Sequence, residues 1–183
     1  MNKDIEIHWY VLRCFYGKEL ALLKQVQADF NVECFVPIEK VKQRDSHGRF
    51  IWIERCALTG YIFVHSDKEK LFEIVKKTPS TKIMSCKDAN GLFVPAVIND
   101  KNMTDFIRVA GSKEQQVLFI DPTRLHFKPG DRVRIIGGTF VGLEGYFIQI
   151  GAKHEKRVIV HLDRIIAVAT TAIPASLVEK IKD

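Results

Sequence analysis

The chain has 183 residues, of which 46% are hydrophobic and 27% charged, and a formal net charge of +6. These proportions are those of an ordinary globular protein, so they exclude a disordered, collagen-like or coiled-coil chain. At roughly 100–200 residues per domain, the length allows one large domain or two small ones. No apolar run approaches the roughly 18 residues that span a bilayer, and the N-terminus lacks the profile of a signal peptide. We therefore expect a cytoplasmic protein that does not enter a membrane.

The residue types that support catalysis form no recognisable set in this sequence. The four cysteines contain no C-x-x-C pair and are best explained as small buried hydrophobic residues. The histidines show no metal-binding spacing, and neither G-x-S-x-G nor H-E-x-x-H occurs. We therefore predict a protein that is not an enzyme and needs no metal or cofactor. One alternative is a small hydrolase in which Cys14 or Cys56 lies beside a histidine in a cleft.

The first part of the chain predicts a strand, a helix and a hairpin. Residues 9–15 are aromatic and β-branched, which favours an inner strand. In residues 18–30, apolar side chains recur on one stripe at helical spacing. Residues 34–44 and 49–55 are rich in strand-forming residues, and the turn cluster between them predicts a β-hairpin with a basic tip.

The next segment predicts a strand followed by a short helix. Residues 58–65 form an apolar, aromatic run that is entered through Gly60. Ser66 and Glu69 have the spacing of a capping box, which starts a helix that ends before Pro79.

Short strands and a third helix complete the first domain. Strands are predicted within residues 81–85 and 92–94, and Asn99 caps a helix that ends at Gly111. The resulting order, β-α-β-β-β-α-β-α, predicts an α+β domain over residues 1–111 in which helices flank an antiparallel sheet.

The sequence changes character after this domain. Residues 112–126 are polar apart from the apolar island Val117–Ile120, and they predict an interdomain linker. Because an exposed Val-Leu-Phe-Ile segment would be sticky, we expect the island to dock on one of the domains. In residues 127–183, short strands alternate with glycine turns, which predicts a small SH3-like β-barrel.

Two segments resemble a known family of transcription factors. Residues 127–145 begin Phe-Lys-Pro-Gly-Asp-Arg-Val and end Gly-Leu-Glu-Gly. They resemble the KOW motif, in which a Pro-Gly turn launches a strand and a later glycine lets the next strand bend. The opening Trp9-Tyr10-Val11-Leu12, the amphipathic helix after it and residues 58–64 resemble the N-terminal (NGN) domain of the NusG transcription elongation factors. In this order the two resemblances cover residues 8–183.

One position departs from the family pattern. The family commonly has Pro-Gly before its aromatic strand, and here Thr59-Gly60 keeps the glycine without the fixed φ of proline. The short first domain and the tail over residues 162–169 look more like specialised NusG paralogs than like the housekeeping factor. The UpxY-type antiterminators of capsular-polysaccharide operons are such paralogs.

The resemblance implies a function in transcription elongation. In NusG proteins the first domain grips the clamp helices of RNA polymerase with an apolar, aromatic patch and bridges the DNA cleft, which suppresses pausing or termination. In specialised members a basic face also reads exposed non-template DNA, and the KOW barrel recruits partners such as the ribosome or Rho. The resemblance therefore implies a monomeric antitermination factor whose partners are RNA polymerase and non-template DNA.

Three sets of candidate site residues follow from the resemblance and from the pattern of aromatic and basic residues. The candidates for polymerase binding are Trp9, Tyr10, Arg13, Leu58, Tyr61 and Phe63. The candidates for nucleic-acid binding are Lys18, Lys24, Lys76, Lys77 and Lys82. The candidates for partner binding by the KOW domain are Phe140 and Leu143.

Each candidate also has a purely structural explanation. Alternation along a strand requires some of the aromatic residues to fill the core of the sheet, and lysines at a helix end interact with the helix dipole without any ligand. Phe140 and Leu143 either plug the barrel or form an exposed contact. The hairpin tip at residues 45–49 is either a simple loop or, as in the family, an arm that reaches nucleic acid or polymerase. The alternative function for the whole chain is a stand-alone RNA-binding or ribosome-associated KOW protein.

Overall fold

The structure is a computed structural model that describes residues 6–15, 17–112, 117–120, 131–150, 155–162 and 166–181. The chain divides into two compact units, one up to Asn99 and one from Asp100. The units separate before the third helix, whereas the predicted domain boundary lies after it at residue 111. The domain boundaries themselves stay a prediction.

The first unit is built on a mixed set of helices and antiparallel strands. Its described helices are α1 (Glu19–Phe30) and α2 (Lys68–Lys77). Its described strands are β1 (His8–Arg13), β2 (Glu33–Phe35), β3 (Ile38–Arg44), β4 (Phe50–Cys56), β5 (Tyr61–Ser66), β6 (Lys82–Ile83), β7 (Ser85–Lys87), β8 (Phe93–Pro95) and β9 (Val97–Ile98).

The antiparallel pair of β1 and β5 is the centre of this unit. Strand β2 extends the sheet beside β5, and β6 and β9 pair with β1. Strands β3 and β4 form a separate hairpin, and β7 and β8 form a second one. The predicted antiparallel sheet with flanking helices is therefore present, together with more short strands than the sequence pattern predicts.

The main core of the first unit lies between this sheet and its two helices. Tyr10 and Leu12 of β1 belong to a cluster of buried residues that includes the predicted apolar stripe of α1. That stripe contributes Leu22, Val26 and Phe30, and the core is completed by other residues of the sheet and of α2, among them Ile62, Val64, Leu71 and Ile74.

The N-terminus of α2 differs from the sequence prediction. The residue that caps the helix is Asp67, whose carboxylate accepts a hydrogen bond from the backbone N–H of Lys70 at 2.7 Å. The predicted capping by Ser66 is wrong because Ser66 is still part of β5, where it pairs with His8. The chain leaves the extended conformation one residue later than a Ser66 cap requires.

The second unit consists of one sheet and one helix, α3 (Asp100–Ala110). The described strands are β10 (Leu118–Ile120), β11 (Arg132–Ile135), β12 (Glu144–Ile150), β13 (Glu155–Leu162), β14 (Ile166–Ala169) and β15 (Val178–Lys180). They form an antiparallel sheet in the order β10-β14-β13-β12-β11-β15, and α3 packs against β13 and β14.

Part of the predicted linker belongs to this sheet. Residues 118–120 form β10 and pair with residues 167–169 of β14, and the Phe119 ring lies 6.3 Å from the Phe106 ring of α3. The apolar island is thus an edge strand. Residues 113–116 and 121–126 of the predicted linker, and the Pro-Gly turn at residues 129–130, lie outside the described residues. The closed SH3-like barrel stays a prediction, because the described strands form a path with two ends.

Steric crowding explains why the last residue of the KOW-like segment, Gly145, is a glycine. A Cβ atom on Gly145 would collide with the carbonyl oxygen of Ile159 and would lie 2.8 Å from Cγ1 of Val158. Gly145 pairs with Val133 on one side and lies next to β13 on the other. Only a residue without a side chain lets the backbones approach this closely.

Candidate functional site

The sheet of the first unit has a second face, turned away from the core that contains α1 and α2. Because side chains alternate along a strand, and Tyr10 and Leu12 pack in that core, Trp9, Val11 and Arg13 point to the opposite side. We call this side the far face of the sheet.

The register between β1 and β5 determines which residues share the far face. Trp9 lies opposite His65, and Arg13 lies opposite Tyr61, with Phe63 between them on β5. Four of the six predicted polymerase-binding residues, Trp9, Arg13, Tyr61 and Phe63, therefore share one face.

One edge of the far face carries an aromatic ring next to two cations. The guanidinium carbon of Arg13 lies 5.6 Å from the centre of the Tyr61 ring, a cation–π distance. Lys82 of β6 pairs with Arg13 on the other side. Arg13 and Lys82 are exposed and Tyr61 is half-buried, so the row Tyr61, Arg13, Lys82 is accessible. It joins a predicted nucleic-acid candidate to two predicted polymerase candidates.

The other two aromatic residues of this face are buried. Phe63 is 0% exposed and Trp9 is 5% exposed. The Trp9 ring is stacked on the ring of His65, with centroids 4.7 Å apart and an angle of 11° between the planes. Nδ1 of His65 lies 3.3 Å from a carboxylate oxygen of Glu33. Trp9 and Phe63 therefore reach little solvent on this face, and their roles in polymerase binding stay predictions.

The remaining two polymerase candidates lie elsewhere. Tyr10 is 3% exposed in the core between sheet and helices, and burial raises the pKa of its phenol. Leu58 lies half-buried in the turn before β5, and its carbonyl accepts a hydrogen bond from Sγ of Cys56 at 2.9 Å. Their roles in polymerase binding stay predictions.

A buried carboxylate positions the start of β5, and the sequence prediction missed it. Glu19, the first residue of α1, is 2% exposed, and its Oε1 accepts a hydrogen bond from the backbone N–H of Gly60 at 2.6 Å. The Gly60 carbonyl accepts from the N–H of Cys14 at 3.0 Å, and Gly60 has a φ of +82°. Gly60 thus keeps the left-handed conformation that glycine favours, although Thr59 stands where the family has proline. The only sequence signal was an acidic residue in the first turn of a helix.

The five candidate lysines are all exposed and lie in different places. Lys18 precedes α1 and Lys24 lies within it, Lys76 and Lys77 end α2, and Lys82 begins β6. Nζ of Lys77 lies 3.1 Å from a carboxylate oxygen of Glu73 and 4.9 Å from the centre of the Phe30 ring. Lys77 therefore has local partners that explain its position without a ligand.

Two buried threonines fix the turn that leads from α2 to Lys82. Oγ1 of Thr78 donates to the carbonyl of Ile74 at 2.7 Å, and Oγ1 of Thr81 donates to the carbonyl of Thr78 at 2.8 Å. The two hydroxyl oxygens are 2.9 Å apart. This hydrogen-bonded turn connects α2 to β6, in which Lys82 pairs with Arg13.

The candidate partner-binding residues of the KOW-like segment are buried. Phe140 is 2% exposed and Leu143 is 0% exposed. This burial agrees with the structural explanation, in which the two side chains fill the interior of the second unit. Arg108 of α3 donates to the carbonyls of Thr139 and Val141, both at 2.8 Å. The loop is therefore tied to α3 through its backbone, and partner binding by Phe140 and Leu143 stays a prediction.

A carboxylate next to this loop is surrounded by cations. Lys101 and Arg134 each place a nitrogen 2.8 Å from an oxygen of Glu144, and Arg132 lies 3.6 Å away. Hydrogen bonds from Lys101 and Arg134 lower the pKa of Glu144 to about 2. The ionised form of Glu144 thus helps to hold α3, β11 and β12 together.

The chemistry of the thiols argues against a cysteine hydrolase. Burial raises the pKa of Cys14 and of Cys56 to about 11 in each case. Both are therefore protonated at neutral pH, whereas a nucleophilic cysteine needs its thiolate. In the part of the chain that the structure describes, no group of three or more His, Cys, Asp and Glu residues is placed to hold a metal ion. None of the described helices is long and apolar enough to span a bilayer.

The structure defines an α+β protein of two units, each built from helix and antiparallel sheet. The family model described as "Transcription termination factor nusG" matches residues 7–111, more than half of the chain. The protein therefore belongs to the NusG family, whose members are transcription factors and not enzymes.

The chain is also similar to individual proteins. The chain is 23% identical over 167 residues to the "Transcription termination/antitermination protein NusG" of Thermus thermophilus. This match covers 83% of this chain and 87% of the relative. The solved structure "Domain interaction in Thermotoga maritima NusG" is 25% identical and covers 98% of this chain and 100% of the other, with a TM-score of 0.47. The structure "Crystal Structure of MjSpt4:Spt5 complex conformation A" is 16% identical, covers 94% and 97% of the two chains and has a TM-score of 0.31.

Proposed function

We propose that this protein is a transcription elongation and antitermination factor that binds the clamp helices of RNA polymerase through the far face of its first unit. The observation that carries the proposal is the row formed by Tyr61, Arg13 and Lys82 at the accessible edge of that face. Tyrosine and arginine are among the residue types that most often anchor protein interfaces. The row lies in the part of the chain that matches the family model.

The far-face residues have different roles in this proposal. Arg13 and Tyr61 contact the polymerase directly, because their side chains reach solvent. Trp9 and Phe63 are buried on the same face and keep the row in position. The hydrogen bond from Gly60 to Glu19 holds the backbone immediately before Tyr61, so the contact surface is rigid before the polymerase arrives.

Non-template DNA is the second partner in the proposal. Lys82 forms the end of the row, beside Arg13. Four more candidate lysines are exposed on or beside the helices: Lys18, Lys24, Lys76 and Lys77. Phosphate contacts from such lysines raise affinity without reading the sequence. Suppression of pausing or termination follows when one protein holds both the clamp and the displaced strand.

The second unit supplies the recruitment part of the proposal. As in the family, a KOW barrel binds a further factor such as the ribosome or Rho, and the chain works in the cytoplasm as a specialised paralog of the UpxY type. A protein that binds ribosomal RNA and fails to bind polymerase would instead be the stand-alone KOW protein.

The polymerase contact is tested by measuring binding of the full chain to purified core RNA polymerase. Tyr61→Ala is expected to weaken binding by about 2 kcal/mol, which is roughly 30-fold, because truncation of an aromatic anchor typically costs this much. The matched control is Phe93→Ala, which removes an aromatic side chain that is 74% exposed in the same unit and should leave affinity unchanged. Equal affinities for Tyr61→Ala and wild type, at equal melting temperatures, would place the contact elsewhere.

The DNA contact is tested by the salt dependence of recruitment to a paused transcription complex. Replacing Lys76, Lys77 and Lys82 with alanine should reduce the slope of log affinity against log salt by roughly 0.7 for each phosphate that the variant no longer neutralises. Binding to polymerase without nucleic acid should survive in Lys76→Ala combined with Lys77→Ala, because this double variant leaves Lys82 in its row beside Arg13. The control is Lys68→Ala at the start of α2, and identical slopes for the triple variant and the control would assign these lysines to a solvated surface.

A further inference from the structure

The hairpin of β3 and β4 presents an aromatic and cationic surface that the polymerase-binding proposal does not use. In its register Lys42 lies opposite Trp52, and Arg44 lies opposite Phe50. Directly opposed residues of an antiparallel pair point to the same face. Trp52 is 68% exposed and Phe50 is 58% exposed. Two large aromatic rings thus stand in solvent beside two cations.

The cations of this surface lie against one of the rings. Nζ of Lys42 is 4.7 Å, and the guanidinium carbon of Arg44 is 5.0 Å, from the centre of the Phe50 ring. Lys40 lies on the same face and forms an ion pair of 3.6 Å with Glu54, its opposite residue. This hairpin face therefore carries three cations against one carboxylate.

The opposite face of the hairpin has a different character. Glu39 and Arg55 form an ion pair of 2.7 Å there, and Val41 and Ile53 are half-buried. The excess of positive charge and the exposed rings are thus confined to one side of the stem.

The tip of the hairpin offers less to a ligand than the stem. Nε of Arg49 lies 3.1 Å from a carboxylate oxygen of Asp45, and the other oxygen of that carboxylate accepts from the backbone N–H groups of His47 and Arg49. The tip cation is thus already paired with an acid.

We propose that the hairpin face formed by Lys40, Lys42, Arg44, Phe50 and Trp52 binds single-stranded nucleic acid. A base stacks on the indole of Trp52, and the phosphates on either side lie near Lys42 and Arg44. The two cations lie two residues apart on one strand, roughly 7 Å, which places them along the path of an extended backbone. Exposed rings interleaved with cations suit a single strand because every base offers a ring face and every nucleotide a charge.

The pattern of rings and cations favours this occupant over an apolar protein surface or a duplex. An apolar protein surface would bury the charges of Lys42 and Arg44 with no carboxylate or phosphate to compensate them, which is costly. In a duplex the bases are already stacked on one another, so Trp52 would have no ring to meet. The proposal goes beyond polymerase binding and does not depend on it, and its test contains no polymerase.

Intrinsic fluorescence gives a direct readout because the chain has two tryptophans with opposite environments. Trp9 is 5% exposed and Trp52 is 68% exposed. Titration of the full chain with a 15-nucleotide oligo(dT) or oligo(U) should quench the emission through stacking on Trp52. In Trp52→Phe, which keeps an aromatic ring, the quenching should vanish while most of the affinity remains.

Affinities from fluorescence anisotropy of labelled oligonucleotides provide the second readout. Trp52→Ala is expected to weaken binding roughly tenfold, the effect of losing one stacked base. Its matched control is Ile51→Ala, which truncates a residue that is 43% exposed on the opposite face of the same strand. Lys42→Gln combined with Arg44→Gln should lower the salt slope by about 1.4, at roughly 0.7 per phosphate contact. Arg55→Gln combined with Lys68→Gln removes the same charge elsewhere and should change the slope less.

The outcomes separate this proposal from the function proposed above. Quenching by either oligonucleotide, abolished in Trp52→Phe, together with weaker binding by Trp52→Ala, supports the hairpin face, and a preference for one oligonucleotide identifies DNA or RNA as its ligand. Wild-type affinity in Trp52→Ala overturns it, as does equal binding and quenching by a duplex of the same length. If binding is abolished only when Lys76, Lys77 and Lys82 are replaced, the hairpin proposal fails and the proposed DNA contact stands.

Discussion

Replacement of Glu19 tests how the candidate site is held in place. Glu19→Ala removes the acceptor of a 2.6 Å hydrogen bond from the N–H of Gly60, at a residue that is 2% exposed. Hydrogen bonds to charged groups contribute about 1.5–3 kcal/mol, and the orphaned N–H adds a desolvation cost. We therefore expect the first unit to lose about 2–3 kcal/mol of its free energy of unfolding. Glu19→Gln keeps an acceptor oxygen and should therefore reduce the free energy of unfolding less than Glu19→Ala does.

Tryptophan emission during urea unfolding measures this effect selectively, because Trp9 and Trp52 both lie in the first unit. With an m value of about 2 kcal/mol/M, the midpoint for Glu19→Ala should fall by about 1 M. The matched control is Glu69→Ala, which removes an exposed acidic residue from the first turn of α2 and should change stability by less than about 1 kcal/mol. A Glu19→Ala midpoint equal to that of the control would refute the assignment of Glu19 as the anchor of Gly60.

Two further predictions concern the second unit. Gly145→Ala should destabilise the second unit by about 3 kcal/mol or more, because the added Cβ meets backbone. Gly142→Asn should cost less, because the space around Gly142 is open and asparagine adopts a φ such as its +84° with less strain than most residues that carry a side chain. Thermal unfolding followed by circular dichroism compares the two variants, and similar melting temperatures would contradict the steric argument. The second prediction concerns Glu144, whose pKa is lowered from 4.5 to about 2 by Lys101 and Arg134. The ionised form of Glu144 therefore stabilises the fold fully at pH values above 4.5, and this stabilisation disappears as the pH falls towards 2. Glu144→Gln should therefore reduce stability at pH 7 and matter little near pH 2, and a pH-independent difference in urea unfolding would count against this.

Sequence periodicity is a good predictor of the parts of this fold that have long, regular patterns. The stripe of α1 and the apolar runs of β1 and β5 are confirmed, because burial of one face leaves a regular trace in the sequence. The strands β6, β7, β8 and β9 have only two or three residues each, too few to show a period. The N-cap of α2 depended on how far β5 continues its pairing with β1, which is a tertiary property.

The candidate site was harder to predict than the fold. Trp9 and Tyr10 look equivalent in the sequence, yet the pleat sends them to opposite sides of the sheet, and only the position of the helices shows which side is the core. Glu19 and Gly60 are 41 residues apart, and no local pattern connects a first-turn glutamate to a glycine in another loop. Lys82 joins the site only because β6 pairs with β1 beside Arg13.

The hairpin face shows why register, and not composition, decides what a surface can bind. Its basic and aromatic residues are evident in the sequence, but a shift of one residue in the pairing would send Trp52 to the side of the stem away from Lys42. Asp45 accepts hydrogen bonds from the backbone of His47 and Arg49, and its own N–H donates to the carbonyl of Arg49 at 2.9 Å. These bonds fix the length of the turn and therefore the register of the whole stem. Loss of the Asp45 side chain would make the net charge of the hairpin more positive. It would nevertheless weaken the binding of a single strand that stacks on Trp52, because this binding depends more on the arrangement of the rings and cations than on the total charge.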